Sequence, residues 1–136
     1  MTQSVIPDYL RYTPYPSQAT LLTWLEDSNS LTRHILQNLQ AGQESVPEQE
    51  ILNPPNWEFG HISWFHEFWV HRRGLETNQS RLFNADGLFN SSLVSHRSRW
   101  GLRIPDLDTL FTYNQATFER TADLLGRPLD NEQLYF

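Results

Sequence analysis

The residues of this chain best able to do chemistry gather in "NPPNWEFGHISWFHEFWVHRR", residues 53 to 73. The stretch holds His61, His66 and His71 together with Trp57, Trp64 and Trp69. Imidazoles ligate transition metals, move protons, or sit satisfied in a core. Spacing limits the first role. On an α-helix each residue turns the chain by roughly 100°, so histidines five apart point about 140° away from each other. No pair here has the i, i+3 or i, i+4 spacing that sets two ligands on one ion. Such a helix can supply one ligand, and companions must come from elsewhere. His61 is the candidate, because its face carries Trp57, Glu58, Trp64, Phe65 and Phe68 and should point inward. Gly60 beside it costs up to about 1 kcal/mol of helix stability relative to alanine. A neighbouring helix or a ligand approaching closely would account for it. His66 shares its face with Ile62, Trp69 and Val70, and His71 lies one turn after Glu67, placed to pair with it. A satisfied core histidine is the alternative reading of all three.

A second cluster, "SHRSRW" at residues 95 to 100, sets His96, Arg97 and Arg99 beside Trp100. A guanidinium there suits bidentate binding of a carboxylate. A solvated loop with a partly buried tryptophan is the alternative. There is no glycine-rich phosphate loop, no G-x-S-x-G elbow and no identifiable carboxylate pair.

These residues need elements to position them. Apolar residues at Leu21, Trp24, Leu25, Leu31, Ile35 and Leu39 predict a first helix from about Ser17 to Gln40, with Ser17 as N-cap and Gly42 as stop. The second helix is the aromatic stretch itself, with Asn53 as N-cap, Pro54 in the first turn and a stop near Gly74. A third runs from Asp106 to Gly126, its stripe formed by Leu107, Leu110, Phe111, Phe118, Ala122 and Leu125. About 30 residues without helical period separate the second and third. Loops that long are usually functional or mobile. The proline-rich start reads as an extended lead-in, and "PLDNEQLYF" as the beginning of a further helix with capping-box spacing between Asp130 and Gln133.

The bulk properties of the 136 residues suit one all-α domain spanning residues 1–136. With no apolar run near 18 residues, no membrane span is expected, and the N-terminus lacks the pattern of a secretory signal. Cysteine is absent, which rules out disulfides and thiolate chemistry. A net charge of −6 with scattered basic residues argues against nucleic acid as a partner. A soluble, cytoplasmic protein is the expectation.

"NPPNWEFGHISWFHEFWVHR" resembles the N-P-P-x-W-E-x-G-H-x-x-W-F-x-E-F motif of the DinB-like N-terminal domain of ergothioneine-biosynthesis sulfoxide synthases, including selenoneine-synthase-like proteins. "DGLFNSSLVSHRSRWGLRIPD" is similar to a second segment of that family, with Phe89 where tyrosine is common. The resemblance implies an up-and-down four-helix bundle that contributes histidines to a non-haem iron(II) centre. It places one ligand at His61 and two more on an H-x-x-x-H motif of a fourth helix. It implies small-molecule substrates, a trimethylated histidine betaine and a thiol or selenium donor. It also implies a C-terminal domain like the formylglycine-generating enzyme. Arg99 matches an arginine that holds a substrate carboxylate, with Trp57 and Trp64 as further candidate substrate contacts. This sequence departs from the pattern in having no H-x-x-x-H. The fourth helix is therefore expected to be largely missing and iron to bind weakly or not at all. No catalytic residue is expected within the chain itself. The groove left on the bundle should favour self-association into a homo-oligomer. Two alternatives stand beside this reading, a stand-alone helical interaction domain without metal chemistry and another DinB-like metal-dependent transferase or hydrolase.

Overall fold

The computed structural model describes residues 16–74 and 79–126. The expected lead-in through residue 15 and the helix start expected in residues 128–136 lie outside them. The fold is all-α, with no strand among the described residues. It contains three long helices and one short one: α1 Gln18–Gln37, α2 Pro55–His66, α3 Ala85–Phe89 and α4 Leu107–Leu125. No described helix is long and apolar enough to cross a membrane.

The caps show why the helices begin and end where they do. Ser17 takes an extended conformation and its side chain accepts from Thr20 N at 3.1 Å. Asp106 does the same for α4, accepting from Thr109 N at 2.8 Å, and Gly126 closes that helix. Both starts fall where the sequence places them. The end of α1 comes three residues earlier than expected, because Asn38 folds its side chain back and donates to the carbonyl of His34 at 2.7 Å. The start of α2 also shifts by one residue. Pro54 is the N-cap and Pro55 the first helical residue, while the Asn53 side chain is occupied elsewhere, between Glu58 and Arg99.

The aromatic helix does not run as one α-helix to Gly74. After His66 it continues as a π-helical turn, Glu67–His71. The amide of Arg72 donates to the carbonyl of Glu67 at 2.9 Å, an i→i+5 bond. Gly74, at φ +69°, then closes the segment by donating to the carbonyl of Phe68 at 2.8 Å. The stretch between α2 and α4 is also more ordered than its sequence suggests, since it contains α3 and a 3-10 turn, Arg97–Trp100.

Helix α2 is the centre of the packing and touches α1, α3 and α4. Its buried Trp57, Phe59 and Trp64, with Phe68 of the π turn, meet Phe89 of α3 and Leu110 and Tyr113 of α4. Burial of each such side chain contributes roughly 1.5–3 kcal/mol. The Phe59 and Phe111 rings pack at 4.9 Å between centroids. Gly60 is explained by this core. A Cβ built there would lie 2.2 Å from the Phe89 ring, so the close approach is that of Phe89.

The expected stripes of the outer helices are met in part: on α1 Leu21 and Leu25, and just past it Leu39, are half-buried, but other members face out. Trp24, Leu31 and Ile35 are 55%, 62% and 53% exposed, and the inward positions of α1 include Leu36 and Arg33 instead. Arg33 donates to the Phe111 carbonyl at 3.3 Å and to Asn114 Oδ1 at 2.9 Å, and its guanidinium lies over the Phe111 ring. The buried side of α4 is Leu110, Tyr113, Asn114, Thr117 and Thr121. Of the predicted stripe Leu110 is fully buried, Leu107 and Phe111 pack half-buried against the core, and Phe118, Ala122 and Leu125 are half-buried. The interface is polar enough to be set by hydrogen bonds rather than by apolar periodicity alone.

The Gly60–Phe89 contact yields a test. Gly60→Ala should destabilise the protein by about 1–3 kcal/mol through overpacking, read as a lower urea midpoint. Shortening the opposing ring with Phe89→Leu should recover part of that loss in the double variant. Simple additivity of the two single changes would show that the contact does not limit the packing.

Candidate functional site

Aromatic residues of α2 and the π turn form one column, with Arg99 and Arg72 laid against it. The Trp57 and His61 rings stack at 4.7 Å, His61 and Trp64 at 5.6 Å, and Trp64 and Phe68 at 4.9 Å, with interplanar angles of 12°, 21° and 28°. These residues follow at steps of three and four, so a single helix face can align them. Arg99 lies over Trp57 at 3.8 Å from its centroid, and Arg72 over Phe68 at 5.2 Å. Three ring nitrogens of the column are tied to α3. Trp57 Nε1 donates to the Leu88 carbonyl at 2.8 Å, and His61 Nδ1 donates to the Phe89 carbonyl at 2.7 Å. Trp64 Nε1 donates to Asp86 Oδ1 at 2.7 Å.

Four residues singled out from the sequence, Trp57, His61, Trp64 and Arg99, are thus brought together. Their orientation differs from expectation. The His61 ring does not face the space between the three long helices, which on α2 is lined by Ile62, Ser63 and His66. It turns toward α3, because the Phe89 carbonyl takes its Nδ1–H. That bond has a chemical consequence. A carbonyl only accepts, so the neutral ring carries its proton on Nδ1 and its lone pair on Nε2. Trp57 and Trp64 are only 1% and 3% exposed, and both indole N–H groups are already engaged. They act as walls that hold the imidazole. Half-exposed Phe65 meets His61 edge-on at 6.1 Å.

Arg99 is half-buried. Its Nη1 donates to Asn53 Oδ1 at 2.7 Å and its Nη2 to the Val94 carbonyl at 3.3 Å. Its Nε–H is buried without a hydrogen-bond partner. Burial lowers the guanidinium's pKa, and the Glu58 carboxylate works in the opposite direction. Of the other two residues of the cluster, His96 meets the Gln49 carbonyl at 2.7 Å, and exposed Arg97 lies 3.4 Å from Glu48.

Asp86 and Tyr113 were not singled out from the sequence, and Glu67 takes partners other than the one expected. Asp86 receives Arg72 Nη1 and Nη2 at 2.7 and 2.8 Å as well as Trp64. Hydrogen bonding from Arg72, with a smaller contribution from Trp64, holds its carboxyl below the ordinary range. Glu67, 2% exposed in the π turn, accepts from Tyr113 Oη at 2.8 Å, from Arg81 N at 2.9 Å and from Ser80 Oγ. Burial first, and Glu67 second, push the Tyr113 phenol above its usual value. Glu67 therefore does not pair with His71 as the α-helical spacing suggested. His71 Nε2–H donates to Thr121 Oγ1 at 2.8 Å and its Nδ1 accepts from Arg81 at 3.1 Å. The i→i+5 winding also brings residues five apart back to roughly one face, so His66 and His71 are close enough for the charge of one to be felt by the other.

Among the described residues no group of three metal-ligating side chains stands close enough to hold an ion. His61 Nε2 is one donor where an iron centre needs several. The described residues alone do not fit a complete iron site, and no reaction step can be derived through one. The chain matches no protein-family model and no curated protein.

The π turn makes stability depend on pH. Burial lowers the His66 pKa. Burial, then the charges of Arg81, Arg120 and His66, bring that of His71 to about 4. Between about 4 and the unfolded value near 6.5 the unfolded chain binds more protons than the folded one, so stability falls as pH is lowered through that window. Urea midpoints measured from pH 7 to pH 4 should show this decline, and His71→Gln should flatten it. An unchanged slope would mean that His71 titrates normally in the folded state.

Proposed function

We propose that this chain is the DinB-like, iron-binding segment of a non-haem iron sulfoxide synthase of the ergothioneine or selenoneine type, contributing one ligand and one wall of the site rather than a complete active centre. The observation that carries the reading is the His61 Nδ1–H bond to the Phe89 carbonyl. Metal-binding histidines usually donate their second ring nitrogen to such an acceptor, which fixes the tautomer and leaves Nε2 as the ligand atom. The clustering of His61 with Trp57, Trp64 and Arg99 adds support. In this reading Arg99, laid over Trp57, receives the carboxylate of a betaine substrate. Iron(II), when bound with further ligands, would supply dioxygen activation. The residues of this chain orient the imidazole, shield it and fix its proton.

The test uses a polypeptide in which this chain is followed by an H-x-x-x-H segment. It should retain iron(II) after anaerobic desalting, and His61→Ala should abolish that retention. Iron content unaffected by His61→Ala would end the ligand assignment. Arg99→Met should weaken binding of a trimethylated histidine by roughly tenfold or more, the worth of a charge-assisted hydrogen bond, in a titration calorimeter. Undiminished binding would remove Arg99 from the substrate site.

A second reading is favoured by the exposed apolar residues in helical register, Trp24, Leu31 and Ile35 on α1 and Ile62, Phe65 and Trp69 on α2. Such surface is characteristic of interaction faces, and a second copy of the chain is the occupant proposed. Analytical ultracentrifugation should then show a concentration-dependent dimer that Ile35→Glu weakens, whereas a clean monomer at all concentrations contradicts it.

A further inference from the structure

Asn53 stands between two opposite charges. Its Nδ2 donates to Glu58 Oε1, and its Oδ1 accepts from Arg99 Nη1 at 2.7 Å. A carboxylate only accepts and a guanidinium only donates, so the hydrogen-bond network allows the amide one orientation. The sequence explains why this side chain is available. Pro54 and Pro55 follow it, and neither has an N–H to be capped. Backbone ahead of a proline is extended, and Pro54 itself takes φ −57° and ψ 133°. Asn53 therefore lies just outside α2, which begins with no side-chain cap. Its amide instead joins the first turn of that helix, which carries Glu58, to the 3-10 turn that carries Arg99.

The linkage keeps two charges apart. Glu58 and Arg99 form no ion pair and meet only through the Asn53 amide, although Glu58 is near enough for its charge to be felt at the guanidinium. The other contacts of Arg99 are neutral as well. Its Nη2 donates to the Val94 carbonyl at 3.3 Å, and the guanidinium lies 3.8 Å from the Trp57 centroid. Arg72 shows the alternative. Its two terminal nitrogens bond both oxygens of Asp86 at 2.7 and 2.8 Å, and such a fork occupies the edge that a second carboxylate would need. With Glu58 bonded directly to Arg99, an incoming carboxylate would have to displace it. We propose that Asn53 is a positioning residue that acts as a neutral spacer, holding Glu58 off Arg99 so that the guanidinium keeps its charge for a substrate carboxylate. This inference rests on the reading of Arg99 as the group that receives that carboxylate, and adds to it the residue that preserves the charge.

The test compares variants of the polypeptide in which this chain is followed by an H-x-x-x-H segment, titrated with trimethylated histidine in a calorimeter. Asn53→Ala lets Glu58 reach Arg99, so affinity should fall roughly tenfold through competition for one charge-assisted hydrogen bond. Glu58→Gln should change affinity little by itself and restore it in the Asn53→Ala background, a coupling that a merely structural role for Asn53 would not produce. A crystal of Asn53→Ala should show the Glu58 carboxylate within about 4 Å of the Arg99 guanidinium. Failure of Glu58→Gln to rescue would overturn the spacer. So would undiminished affinity of Asn53→Ala where Arg99→Met weakens binding, a result that leaves Arg99 its carboxylate. Undiminished binding by Arg99→Met would instead remove the reading on which the spacer rests. Should Asn53→Ala fail to fold, Asn53→Asp, equal in shape, sets a carboxylate directly on Arg99 and should lower affinity to a similar extent. Unchanged affinity there would overturn the proposal.

Discussion

The approach of the Phe89 ring to the backbone of Gly60 is the constraint on which the rest of the site depends. It can occur only because position 60 has no Cβ, and it fixes how near α3 lies to α2. At that separation the Leu88 and Phe89 carbonyls reach Trp57 and His61, and Asp86 reaches Trp64 and Arg72. Three consecutive polar atoms of one helix face are thereby satisfied by one five-residue helix and its end. A helix so short has little stability of its own. It persists because the aromatic column gives it apolar surface and hydrogen-bond donors together.

The column also controls chemistry. Stacking between Trp57 and Trp64 holds the plane of the His61 ring, and each such contact is worth about 0.5–1.5 kcal/mol beyond simple burial. The Phe89 carbonyl fixes which nitrogen is protonated. Neither effect needs a charge, so the geometry is insensitive to salt. The cations at the two ends of the column differ. Arg72 is paired with Asp86 through its terminal nitrogens, whereas Arg99 is held by neutral acceptors, Asn53 Oδ1 and the Val94 carbonyl.

The π turn is the second organising feature. Winding through i→i+5 bonds carries Glu67 into the core, where Tyr113, Ser80 and the Arg81 amide surround its carboxylate. A buried carboxylate without these donors would be strongly destabilising. The same winding aims His71 at Thr121 and Arg81. The local departure from α-helical geometry is thus maintained by partners 10 to 50 residues away, and no property of the segment itself requires it.

The sequence by itself determined the local features. The Ser17 and Asp106 caps, the Gly126 stop, the need for a close approach at Gly60 and the inability of three histidines five residues apart to share one α-helical face all follow from short-range sterics and hydrogen bonding. The grouping of Trp57, His61 and Trp64 on one face was legible for the same reason, and Arg99 was singled out by a motif resemblance rather than by periodicity. The tertiary structure alone decided which way that face points, which carbonyl takes the His61 proton, that Asn53 clamps Arg99 instead of capping α2, and that α1 turns Leu36 and Arg33 inward while Leu31 and Ile35 face out. These choices depend on partners 28 to 81 residues distant. Helical periodicity specifies which residues share a face, but the competition among faces for apolar cover and for buried hydrogen-bond partners is resolved only when the helices meet.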